Sequence, residues 1–189
     1  LVVLAPRDGL DAWAPDPATA ADWVASGIPH LYAGVLEGTG VVGPLVLPGA
    51  TACAGCMERE RVGRDGAWPR MLVQWRSQHR RRGSPACDVG LATAVAGSAA
   101  AHALAFLDGE LPASAGARWE AALPGVHWER IPVPAQPGCA CGAADADGRD
   151  GHFGGRHGNS ARRNGDSGER DTEEGDSSTA REAQDTMAG

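Results

Sequence analysis

The chain has 189 residues, a formal net charge of −7, and 17 basic residues that are all arginine. From Gly142 onward there are 11 acids and 6 arginines, a net of −5, which leaves the preceding body at only −2. Neither part carries the basic surplus of a nucleic-acid binder, and the length suits one domain with an appendage.

The first residue is Leu1, and Leu1-Val2-Val3-Leu4-Ala5-Pro6 lacks the basic flank and length of a signal peptide, so the chain reads as a cytoplasmic fragment. This apolar run predicts a buried strand of a parallel sheet. Asp16-Pro17 supplies a cap and a first-turn proline, Ala20, Trp23 and Val24 follow at helical spacing, and Gly27 closes the helix. A second strand begins at Leu31, and strand, helix, strand is a βαβ unit, which makes the class α/β.

Gly38-Thr39-Gly40-Val41-Val42-Gly43 matches the Gly-x-Gly-x-x-Gly fingerprint of dinucleotide-binding loops. That fingerprint works only where a strand passes into a helix, so that the helix N-terminus faces the pyrophosphate. Here Pro44-Leu45-Val46-Leu47-Pro48 follows, which cannot continue as a helix, and the motif reads as a hairpin tip.

Farther on, Trp68, Met71, Leu72 and Trp75 make an apolar stripe at i, i+3, i+4 and i+7, and the helix closes on His79-Arg80-Arg81-Arg82-Gly83, a solvated basic terminus. Val89 to Leu107 contains no charged residue. Its many alanines are weakly apolar for a membrane span, so it reads as a buried core helix with His102 as a satisfied core histidine. Trp119–Leu123 and Val126–Ile131 flank Pro124-Gly125 as two strands around a turn. The last 48 residues contain no Leu, Ile, Val or Trp and read as a disordered tail, in which His152 and His157 have no role. The domain division is therefore 1–142 and 143–189.

Cys53-Ala54-Gly55-Cys56 is a Cys-x2-Cys knuckle, and Cys139-Ala140-Cys141 is a Cys-x-Cys knuckle. Four soft thiolates suit tetrahedral zinc, and a site whose four positions are all filled by protein leaves no room for a catalytic water, so the ion would be structural. Two local disulfides or a redox Cys-x-x-Cys are the alternatives. A redox pair should sit between a strand and a helix, whereas this one follows a hairpin.

The order of parts, with GVVGPLVLPGATACAGC at its centre, resembles the second half of the ThiF/MoeB superfamily of ubiquitin-activating-enzyme-like adenylyltransferases. Trp68 in Gly66-Ala67-Trp68-Pro69 and the closing Cys-x-Cys-Gly look like the branch found in azoline cyclodehydratases of bacteriocin biosynthesis, with Gln136-Pro137 in place of that branch's His-Pro. The resemblance implies a Rossmann-like partial sheet and structural zinc on Cys53, Cys56, Cys139 and Cys141. It also implies ATP and magnesium in competent members, where a peptide carboxylate attacks the α-phosphorus of ATP. The family's strand-end aspartate matches Asp8, and its glycine loop would lie upstream of Leu1, so the chain is not expected to be active alone. Cys87 lies near where transfer-active members place a thioester-forming cysteine, although Asp88 opposes a thiolate there.

In that branch the ThiF-like part presents a precursor peptide to a YcaO-type partner. The alternatives are an adenylyltransferase that activates the C-terminus of a ubiquitin-like sulfur carrier, and a zinc-stabilised interaction module without chemistry. The resemblance also implies homodimers or complexes with a partner enzyme; a nucleic-acid or membrane partner is not expected.

Overall fold

The structure, a computed structural model of the chain, describes residues 1–7, 9–82 and 87–148. The elements in chain order are β1 (Val2–Leu4), α1 (Gly9–Trp13), a 3-10 turn (Pro17–Ala20), α2 (Ala21–Ala25), β2 (His30–Leu36), β3 (Thr39–Val46), α3 (Ala54–Arg64), α4 (Trp68–Arg82), α5 (Val89–Leu107), β4 (Ala117–Ala122) and β5 (His127–Pro132). The strands form one open sheet in the order β1-β2-β3-β4-β5. β1 runs parallel to β2, with Val3 opposite Leu31, and every later pairing is antiparallel. The α/β, Rossmann-like expectation therefore holds as a mixed sheet with one βαβ step.

Side chains alternate across the sheet. Leu31 and Ala33 of β2 and Leu45 of β3 join Val95 and Ala99 of α5 in one core. On the other face, Tyr32 and Val46 pack with Cys53, Cys56, Met57, Val133, Cys139 and Cys141. A third cluster gathers Leu10, Leu36 and Leu72, with Trp13, Trp68 and Trp75 against it. The guanidinium of Arg61 lies 4.4 Å from the Trp13 ring and 5.0 Å from the Trp68 ring and donates to the Trp13 carbonyl at 2.7 Å, tying α3 to α1 and α4.

Several expectations change in detail. β1 is the end strand, and Val3 is 48% exposed, so it is not buried on both faces. The Asp16 carboxylate does cap the turn that follows, accepting from the Ala18 N–H at 3.0 Å. The Gly-x-Gly-x-x-Gly run starts in the hairpin turn, but from Thr39 on it is strand β3. Its glycines serve packing: a Cβ on Gly40 would stand 2.5 Å from the Val95 side chain, and Gly43, at φ +95°, lies where a Cβ would meet the Ala117 carbonyl at 2.7 Å. α5 is not buried all round. Leu91, Val95 and Ala99 form its inner stripe, whereas Val89, Leu104 and Leu107 are 79%, 59% and 64% exposed. It is long and apolar enough to cross a membrane by length and composition, yet its inner stripe lies against β2 and β3. In α4, Leu72 is buried as the stripe requires, but Met71 points outward at 44% exposure.

A 3-10 turn, Ala143–Gly148, follows the last knuckle, and Ala143 is buried in the cysteine-side core. Most of the expected disordered tail, with His152 and His157, lies outside the described residues.

Candidate metal centre

The first knuckle is aimed by its flanks. The Thr51 hydroxyl donates to the Leu45 carbonyl at 3.1 Å and accepts from the Leu47 N–H at 2.8 Å, which pins the loop leaving β3. Cys53 then takes the N-cap position of α3 with extended backbone, and Cys56 falls in its first turn. A spacing of three puts both thiols on one side of the helix. The second knuckle is a pair of tight turns, with the Cys139 N–H donating to the Gln136 carbonyl and the Gly142 N–H to the Cys139 carbonyl, both at 3.1 Å. Gly138 and Gly142 each adopt φ +70°, which a side chain disfavours.

The two knuckles meet. Cys53 Sγ lies 3.6 Å from Cys139 Sγ, Cys56 Sγ lies 3.5 Å from Cys141 Sγ, and all four sulfurs fall within 4.8 Å of one another. Zinc–sulfur bonds of about 2.3 Å in a tetrahedron place sulfurs about 3.8 Å apart, so the donor set fits that ion in type, number and spacing. The Gln136 N–H donates to Cys56 Sγ at 3.4 Å, a contact of the kind that orients a ligand from behind.

Burial dominates the thiol electrostatics. It raises Cys53, and it pushes Cys56 up to about 11 against the Gln136 and Cys53 hydrogen bonds that favour its thiolate. At Cys139 burial is outweighed by the backbone N–H of Cys141 and the neighbouring thiols, and the group is lowered. An incoming cation must therefore displace protons from a buried cluster.

α3 begins at Ala54, so the first pair does sit between a strand and a helix, the placement expected of a redox Cys-x-x-Cys. What speaks against a two-thiol redox pair is that Cys53 and Cys56 each face a thiol of the other knuckle. The eleven-residue α3 gave no apolar stripe to read, because only Ala54, Cys56 and Met57 of it are buried and the rest is largely charged.

The other candidates stand apart. Asp8 lies outside the described residues. Cys87 is exposed and is not among the clustered thiols; beside it, the Asp88 carboxylate caps α5 by accepting from the Leu91 N–H at 2.8 Å. The side chains of the basic terminus at 79–82 are not described. His102, expected to be satisfied, stands edge-on to Trp119 with Nδ1 buried and without a hydrogen-bond partner, and burial lowers its pKa.

Sequence reasoning missed a concavity. A cavity of about 320 Å3 opens at the C-terminal end of β1, lined by Leu4, Pro6, Asp11, Asp16, Thr19 and Tyr32 among others. Arg76 of α4 lies 3.7 Å from Asp11 and 3.6 Å from Asp16. The carboxyl ends of strands are where open α/β sheets bind ligands. The signal available was Asp16-Pro17, which reads only as a helix cap.

A family model described as the ThiF family matches residues 7–143. The chain belongs to the ThiF family. No curated protein matches the sequence. Among solved structures, E. coli MccB with ATP is similar at 21% identity and a TM-score of 0.53, over 74% of this chain and 38% of MccB. E. coli MccB with MccA-N7isoASN gives 20% and 0.54, over 75% and 39%. The heterocyclase TruD gives 20% and 0.52, over 76% of this chain and 22% of TruD. At these identities the likeness is one of fold. The chain spans about two fifths of the length of MccB and about a fifth of that of TruD.

Proposed function

We propose that this ThiF-family chain is the zinc-bearing scaffold of a cytoplasmic peptide-modifying system of the azoline cyclodehydratase kind, presenting a precursor peptide to a YcaO-type partner that carries out the ATP-dependent step. The observation that carries this reading is the closure of the two knuckles on one another across a ThiF sheet whose fold is shared with a heterocyclase and with a protein solved together with MccA. Cys53, Cys56, Cys139 and Cys141 would hold zinc, which supplies cross-linking and no open coordination position. The residues for ATP fit less well. The Gly38–Gly43 run is hairpin and strand and offers no helix N-terminus to a pyrophosphate. Cys87 has no partner role in this reading.

A second reading, activation of a peptide C-terminus as an adenylate, draws on the similarity to MccB with ATP and on the cavity at the end of β1, which Asp11 and Asp16 line. Co-expression and co-purification with a YcaO-type protein and a candidate precursor peptide separates the two. A three-component complex that forms heterocycles, with no ATP–pyrophosphate exchange by the ThiF-type protein itself, supports the scaffold. Exchange that depends on the carboxylates at the end of β1 supports the adenylyltransferase. Binding of neither peptide nor ATP would leave a zinc-stabilised interaction module.

A further inference from the structure

The thiol cluster has a closed back and an open front. At the back, Cys56 is fully buried and its sulfur is held by the Gln136 N–H. At the front, Cys53, Cys139 and Cys141 line a cavity of about 560 Å3 whose facing wall includes Ala21, Val24 and Ala25 around α2. An ion inside a sulfur tetrahedron of about 2.3 Å bonds needs no such space. Gly55 stands on the front edge, where a Cβ would come 3.2 Å from Cys139 Sγ and 3.5 Å from Cys53 Sγ. The missing side chain therefore leaves the Cys53–Cys139 edge of the tetrahedron uncovered.

This shape bears on ligand exchange. A filled tetrahedral zinc exchanges ligands through a five-coordinate arrangement, which requires room for a fifth donor beside the ion. The back, occupied by Cys56 and Gln136, has none. We propose that the cavity between α2 and the knuckles is the route by which the metal enters and leaves, with an incoming small thiol or chelator reaching the ion across the uncovered Cys53–Cys139 edge. The incoming donor contributes an electron pair to zinc as one sulfur–zinc bond at that edge breaks; the displaced sulfur keeps its pair and takes up the proton that a thiol donor gives up on binding, or one from solvent when the donor is a chelator without it. No oxidant is involved. The proposal rests on the four-thiolate reading of the site.

The test is transfer of zinc from the full, zinc-loaded chain to 4-(2-pyridylazo)resorcinol, followed by its colour change across a range of chelator concentrations. Wild-type transfer should accelerate with chelator concentration. Filling the cavity with Ala21→Leu plus Ala25→Leu should slow transfer about tenfold by blocking the fifth donor, with unchanged zinc content. Ala25→Met alone, a milder change on an exposed position, should slow it about threefold by the same block and serves if the double variant does not fold. Thr93→Leu, on the outer side of α5, should transfer at the wild-type rate. Equal rates in wild type and both filled variants, or a rate independent of chelator and equal to that of unfolding, would overturn the route while leaving the metal site standing. A wild-type chain that binds no zinc would overturn the site and the route together.

Discussion

His30 shows how one residue is committed by burial. Its side chain is fully buried, Nδ1 lies 3.0 Å from the Ile28 carbonyl and donates to it, and Nε2 has no partner. Burial lowers its pKa below the usual histidine value despite that hydrogen bond. The folded state thus holds the neutral ring where the unfolded chain would already take a proton, so its contribution to stability is full above about pH 6.5 and is lost as pH falls from there toward the folded-state value. Where the two states differ by one proton, the loss runs at about 1.4 kcal/mol per pH unit. Denaturant titrations between pH 7.5 and 5 should therefore show a shallower loss of stability in His30→Gln than in wild type. Identical slopes would mean that folding leaves the ring's affinity for a proton unchanged. Its role was not legible beforehand, because Ile28-Pro29-His30 reads as a lead into a strand and nothing in that triplet reports that Trp23 and Tyr32 enclose the ring, at centroid distances of 5.8 Å and 5.5 Å.

At the scale of elements, α1 depends on a close approach. A Cβ on Gly9 would fall 1.9 Å from the Val35 carbonyl oxygen and 2.1 Å from its carbon, both backbone atoms that cannot step aside. Gly9→Ala should push α1 off β2 and cost about 3 kcal/mol or more, read as a lowered midpoint in chemical denaturation; a change below about 0.5 kcal/mol, the range of an ordinary surface substitution, would contradict that packing. α4 and α5 were legible as helices because an apolar stripe or an uncharged run spans several turns. α1 has five residues, too few for any period, and α3 buries only three near its start, so neither rises above its surroundings. The strands β4 and β5 were visible from alternation around Pro124-Gly125. The one-sided burial of α5 was not, since alanine says little about which face is covered.

At the scale of the molecule, the cysteine cluster joins the loop after β3 to the segment after β5, which gives the far end of the described chain a place in the same body. Both pairs were visible in the sequence, and their meeting was expected from thiol chemistry and the family resemblance; spacing alone could not give it, with 82 residues between Cys56 and Cys139. The aspartates at the end of β1 were hidden, since only folding puts Asp11, Asp16 and Tyr32 around one cavity.

The central claim is that these four thiols hold a single ion, and native mass spectrometry of the purified chain tests it most directly. The account predicts about one zinc per chain and its loss in Cys139→Ser plus Cys141→Ser. Zinc retained by that double variant, or a metal-free wild type with the cysteines joined as disulfides, would contradict it.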